Sequence, residues 1–348
     1  MPTLMPHQYV DRATGRVVTE ELTSDRFVNA LYTGVRERAP ALFRMLTSPR
    51  MSSVLAWAEY DHPVPGAAGL AAAMARQLGI DLSECEPPGR VFTSPRQLFE
   101  RQIRYWDVRP MPADPRVVVS PADARLLIGS LAEESSLFLK GKFFDLDDLL
   151  GPHRPAWREA FADGDYAVFR LTPEHYHYNH CPVEGVVVDC YEIEGSNHSC
   201  NPGAVVASVT PYSKNRRVVT IIDTDVPEGT GTGRVAMIEI VALMIGDIRS
   251  CYSARRYDDP QPLAPGLRVR RGQPKSLYRP GSSVDVLLFE KGRMQFDEDI
   301  LANLMRQNVR SRFSAGFGRS LVETNVRVRS GIGRSFGLER VPPNGSCS

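Results

Sequence analysis

Val218-Val219-Thr220-Ile221-Ile222, then Pro227-Glu228-Gly229-Thr230-Gly231-Thr232-Gly233, then a second apolar run from Ala236 to Ile245: this stretch decides the fold class. Two β-rich runs joined by a polar, glycine-rich connection read as neighbouring antiparallel strands. The connection superficially resembles a phosphate-binding loop. It lacks the Lys-Ser or Lys-Thr that such a loop carries and the strand-to-helix context around it, so it reads as a hairpin connection. Similar short runs recur on both sides, at Val117-Val118-Val119, Ala167-Val168-Phe169, Val186-Val187-Val188 and Val284 to Phe289. Gly, Pro, Asn and Asp separate them, which predicts an antiparallel β-rich domain rather than alternating βαβ units.

Upstream the periodicity is helical. Phe27, Leu31, Val35, Leu42, Phe43 and Leu46 recur at spacings near 3.6, with Arg26, Arg36, Arg38 and Arg44 between them. That pattern predicts a helix packed on the main domain, with a basic amphipathic face on a membrane surface as the alternative. A stretch from His62 to Gly89 encloses one short Ala-rich helix and closes on Pro87-Pro88-Gly89, a boundary signal. Ser94 to Tyr105 reads as a helix ending before Arg109 and Pro110. The expected class is α+β: a helical N-terminal segment (residues 1–92) packed on an antiparallel β-rich domain (93–348).

The 348 residues carry 42 Lys+Arg against 41 Asp+Glu, so no net charge steers the chain toward nucleic acid. Only five of the basic residues are Lys. No apolar run approaches the roughly 20 residues that span a bilayer. The start, Met-Pro-Thr-Leu-Met-Pro-His, shows no signal-peptide pattern. Six Cys in a chain this long do not make a disulfide scaffold, so reduced thiols and a cytoplasmic location are expected. The last 48 residues hold eight Arg against Glu323 and Glu339, a segment able to meet an anionic membrane surface peripherally.

Three places carry candidate chemistry. His175, His177, His180 and His198 cluster with Cys181, Cys190 and Cys200, but the spacing matches no compact zinc site, and no metal is expected. The histidines instead lie in a loop at a strand end, where either a catalytic or an ordinary core histidine can sit. Ser120-Pro121-Ala122-Asp123 places an acid after the first β run. Pro280-Gly281-Ser282-Ser283 precedes the strand that begins near Val284.

Taken in this order, the segments resemble the phosphatidylserine decarboxylase family, over nearly all of the chain. Leu98-Phe99-Glu100-Arg101 through Arg109-Pro110 resembles the family's Phe-Phe-x-Arg…Arg-Pro. Ser120 to Asp123 resembles its Pro-Ala/Gly-Asp motif, and Lys140-Gly141 followed by Leu149-Leu150 its Lys-Gly…Leu-Leu segment. Leu171 to His180 is similar to Leu-x-Pro-x-Asp-Tyr-His-Arg-x-His, Gly195 to Pro202 to Gly-x-x-Tyr-Ser-Val-Asn-Pro, and Asn215-Arg216-Arg217 to Asn-x-Arg. Gly281-Ser282-Ser283 resembles the Gly-Ser-Thr processing motif. Tyr178 stands where the family has Arg, Val241 where it has Gly, and His198 and Cys200 where it has Tyr and Val.

The resemblance implies a pyruvoyl-dependent decarboxylase that converts phosphatidylserine to phosphatidylethanolamine and works as a homo-oligomer. Its implied maturation is self-cleavage between Gly281 and Ser282 into fragments 1–281 and 282–348, with Ser282 becoming a covalent pyruvoyl cofactor. Asp123 and His180 resemble the acid and base of self-cleavage, and His177 the histidine of decarboxylation. The chemistry is coherent without the name. A serine that attacks the preceding glycine carbonyl needs a base, and an acid that orients the base completes the logic of a triad. Two alternatives stay open: the same chemistry on a soluble amino acid or amine precursor, and an unprocessed homologue acting as a binding protein.

Overall fold

The computed structural model describes residues 5–22, 25–48, 51, 60, 67–132, 143–208, 210–242, 247–281 and 283–336. Ser282, Lys140, Gly141 and the last twelve residues lie outside the described residues.

The two runs that opened the reading are strands Arg217–Asp223 and Arg234–Val241, paired antiparallel with Asp223 opposite Arg234. They sit inside a ten-stranded sheet. From edge to edge its strands are Arg268–Val269, Gly185–Ile193, Arg217–Asp223, Arg234–Val241, Ser283–Phe289, Asp165–Leu171, Ala124–Ser130, Thr324–Val326, Gln8–Asp11 and Val17–Thr19. Every neighbouring pair is antiparallel except Gln8–Asp11 on Thr324–Val326. The central strands are buried on both faces, so they read as continuous apolar runs rather than as an alternation.

Period two then sorts the Ser283–Phe289 strand. Val284, Val286 and Leu288 join a core with Val205, Phe313 and Phe317, supplied by helices Pro202–Ala207 and Arg312–Phe317. Leu287 and Phe289 face the opposite core, with Tyr252 and Tyr278. Against that second face lies a three-stranded sheet of Ile248–Ser250, Pro274–Tyr278 and Tyr178–His180. The chain passes from Pro274–Tyr278 through Gly281 into the middle of the large sheet. The candidate cleavage segment is therefore the corner between two sheets.

Three local expectations change. The helix predicted over Ser94–Tyr105 divides into Pro95–Phe99 and Tyr105–Val108, because Gln102–Ile103 pairs with Cys85–Glu86. The N-terminal helix breaks at Ala39, ahead of Pro40, and resumes as Pro40–Leu46; Val28, Leu31, Tyr32 and Phe43 pack on Ala204, so this region does pack on the main body. The C-terminal arginines are partly consumed by the fold. Arg312 pairs with Asp25, Arg334 with Asp114, and Arg329 donates to the Tyr105 carbonyl.

Candidate active site

Strand Asp165–Leu171 ends in the Thr172-Pro173 turn, and the next eight residues carry three of the four clustered histidines. Each meets a different environment. His175 is structural: the Thr172 N–H donates to its Nδ1 at 3.1 Å, and Arg125 lies 3.0 Å from its Nε2.

His177 is fully buried, and neither ring nitrogen has a hydrogen-bond partner among the described residues. Its ring stacks on Phe99 with centroids 3.6 Å apart. Its carbonyl accepts from the Tyr278 N–H at 3.1 Å, which ties it to the segment leading into Gly281. Burial, then the positive charge of Arg101, holds this imidazole well below its ordinary pKa. It is neutral at physiological pH and able to accept a proton.

His180 is just as buried but fully engaged. A carbonyl can only accept, so Nδ1 donates to the Gly272 carbonyl at 2.9 Å, and Nε2 faces the Tyr176 hydroxyl at 3.0 Å. Tyr257 continues the chain, its hydroxyl 2.7 Å from that of Tyr176. Burial pushes His180 down to about 3. Its backbone N–H donates to the Pro121 carbonyl at 2.7 Å, bringing the Ser120–Asp123 motif against the histidine loop.

The direct contact expected of a triad is absent. Asp123 accepts from Arg109 at 2.8 and 3.0 Å and from the Val328 N–H at 2.7 Å, and neither oxygen is bonded to His180. Burial alone would raise the Asp123 carboxyl, but Arg109 and these hydrogen bonds hold it below the usual range. The two motif pieces Arg109-Pro110 and Asp123 thus form a buried ion pair that sequence spacing did not reveal. Glu84 completes it, accepting from Arg109 through both oxygens at 2.9 Å.

At the corner, Gly281 has φ 141°, a region closed to side chains with a Cβ. Ser283 is fully buried, and its Oγ has no partner among the described residues. Tyr178, in the place of the family's Arg, stacks on Tyr176 at 5.5 Å and adds to an aromatic wall rather than a charge. His198 stacks on Phe43 at 5.8 Å, so it serves the N-terminal helix and not the histidine loop. Among the described residues, the group of ligands close enough to hold a metal is His7, Glu20 and Glu323, where Arg170 already bonds both carboxylates.

A family model for phosphatidylserine decarboxylase matches residues 96–316, which takes in every motif just described. The chain belongs to the phosphatidylserine decarboxylase family. It is 26% identical over 334 residues to a phosphatidylserine decarboxylase proenzyme of Fusobacterium nucleatum, an alignment covering 96% of this chain and 98% of that one. To the proenzyme of Chlamydia trachomatis serovar L2 it is 29% identical over 258 residues, 74% of this chain and 75% of the relative. To phosphatidylserine decarboxylase proenzyme 2 of Oryza sativa it is 32% identical over 231 residues, 65% of this chain but 34% of the longer rice protein. This family member is a decarboxylase, hence a carboxy-lyase. Among the described residues no helix is long and apolar enough to cross a membrane.

Proposed function

We propose that the enzyme is a pyruvoyl-dependent decarboxylase that converts phosphatidylserine to phosphatidylethanolamine and matures by cutting itself between Gly281 and Ser282. The observation that carries this reading is the corner itself. Gly281 stands at a positive φ directly before Ser282 in the chain. The strand leading up to it is bonded through the Tyr278 N–H to the carbonyl of His177, whose buried imidazole nitrogens have no partner among the described residues.

In the cleavage step the Ser282 hydroxyl attacks the Gly281 carbonyl carbon, and the peptide C–N bond gives way to an ester. Elimination across the Ser282 Cα–Cβ bond then leaves a carboxylate on Gly281. Water replaces the nitrogen, which departs as ammonia. His180 fits the base: it is neutral, with Nε2 held as an acceptor, and Tyr176 stands on that nitrogen as the group through which a proton reaches it. Asp123 acts on His180 through space, with Arg109 fixing its ionised form.

A pyruvoyl group derived from Ser282 supplies an electron sink for the carbon that loses CO2. The unpartnered Ser283 Oγ and the free His177 nitrogens are polar groups fit to surround it. His177 then returns a proton to the substrate carbon. The division at residue 92, a homo-oligomeric assembly and a peripheral contact with the membrane belong to the same proposal.

The test is the intact mass of purified active enzyme with its Ser282→Ala variant. Two fragments, 1–281 and a blocked 282–348, are expected from the parent and one silent, uncut chain from the variant. An uncut chain in fully active enzyme overturns the reading.

A further inference from the structure

A polar cleft of about 440 Å³ opens between the end of helix Ala67–Gln77 and the sheet. Its wall includes Arg101, Arg109, Asp123, Arg125, Glu174 and His175. Nearly every charge there has an opposite partner. Asp123 and Glu84 are taken by Arg109, Glu174 by Arg125, and Glu20 by Arg170. Asp81 accepts from the Ser83 N–H and hydroxyl.

Among the buried charges of the wall Arg101 is the exception; Glu21 and Arg327, which also line the cleft, are exposed. Its side chain is only 5% exposed, yet it donates to carbonyls alone, those of Glu174 at 2.8 Å and Leu98 at 3.3 Å. A guanidinium has five N–H donors, and a buried cation without an anion is costly unless a ligand brings one. Its neighbours place it at the site. Phe99, two residues before, stacks on His177; Glu100 lies 4.0 Å from Arg279, two residues before Gly281; Glu174 is three residues before His177.

We propose that Arg101 anchors the substrate's anion, and that this anion is the phosphodiester of the head group rather than the carboxylate that is lost. The assignment rests on the phospholipid reading above. The choice between the two anions follows from the reaction. The carboxylate gives up its charge as CO2 forms, so a guanidinium on it stabilises the ground state more than the transition state and slows the step. The phosphodiester keeps its charge throughout, and its oxygens match the guanidinium fork. A free amino acid has no phosphodiester for Arg101 to hold, which makes this residue the point of discrimination against soluble substrates.

The experiment compares the parent enzyme with Arg101→Gln and Arg101→Lys, the latter keeping the charge should the former fold poorly. Binding of glycerophosphoethanolamine and of ethanolamine is measured at equilibrium, and CO2 release from phosphatidylserine is followed in parallel. The expected result is glycerophosphoethanolamine binding weakened roughly 10- to 100-fold in Arg101→Gln and less in Arg101→Lys, with ethanolamine unaffected. For phosphatidylserine the effect falls on KM more than on kcat. Unchanged phosphodiester binding, or a loss confined to kcat, overturns the anchor even if the phospholipid is turned over. Arg101-dependent phosphodiester binding without CO2 release from phosphatidylserine upholds the anchor and overturns the proposed function instead.

Discussion

Two buried polar regions of this molecule are built on opposite rules. Where strand Asp165–Leu171 nears its end, His7, Glu20, Arg170 and Glu323 satisfy one another completely. Arg170 donates to Glu20 at 2.6 and 2.8 Å and to Glu323 at 2.7 and 3.0 Å, and His7 meets Glu323 at 2.6 Å. In the candidate site the pairing is left open among the described residues, at both His177 nitrogens and at the Ser283 hydroxyl, with Arg101 donating to carbonyls only. Burial is equally deep in the two places. Completeness of pairing, not depth, separates a clamp that holds the chain's beginning to its end from a site waiting for a ligand.

The largest expected effect breaks the clamp. Arg170→Leu leaves two buried carboxylates with only His7 between them, and should cost about 3–5 kcal/mol of unfolding free energy in a denaturant titration. Activity per folded molecule should survive, since no group at the corner changes. A loss below about 1 kcal/mol would mean that the clamp is no better determined than the open site.

The converse substitution sharpens the same contrast. His177→Phe removes two unsatisfied buried nitrogens and keeps a ring against Phe99, so stability should hold or rise by up to about 1 kcal/mol. Cleavage after Gly281 should persist, because the proposed base of that step is His180. Turnover should fall roughly 10²- to 10⁴-fold, the span of a lost acid–base group. Destabilisation with turnover intact would reverse the assignment of His177 from working to structural residue.

The sequence made some of this visible and hid the rest for identifiable reasons. The Val218–Ile245 stretch declares its hairpin because both strands and their connection are contiguous. Gly281-Ser282 and the histidine loop are legible through the order of motifs that resembles the family; taken alone, a Gly-Ser pair before a strand reads as a turn and the loop as ordinary histidines. Arg101, Arg109 and Asp123 are visible as residues, but their pairings are not: Asp123 with Arg109 instead of His180, and Arg101 with carbonyls only. The same is true of the clamp, which joins His7 to a glutamate 316 positions away. A sequence names the charged groups, while the fold decides which of them are neutralised. The short strands Gln8–Asp11 and Val17–Thr19 were hidden likewise, since what makes them strands is pairing with Thr324–Val326 and with each other.

The smallest effect concerns a third polar region, between those extremes. Beneath the corner, on the same face as Ser283, Glu239 accepts from Lys275, Ser276 and Asn179 in a fully buried network. Asp285 stands opposite Glu239 in the sheet; it accepts from the Tyr278 hydroxyl at 2.7 Å and leaves its second oxygen unpartnered. Burial, then the negative charge of Glu239, raises the Asp285 pKa well above the ordinary value, with Lys275 opposing. A carboxyl that binds its proton more tightly when folded stabilises the fold fully only below its unfolded pKa near 4, and that contribution declines as pH rises from there. Asp285→Asn keeps the acceptor for Tyr278 and removes the titration. The variant should match the parent near pH 3.5 and exceed it by about 1 kcal/mol or more at pH 8, read from denaturant midpoints at the two pH values. A parent that gains on the variant with rising pH would place Asp285 among the completed pairs, with an ionised carboxylate that the fold welcomes.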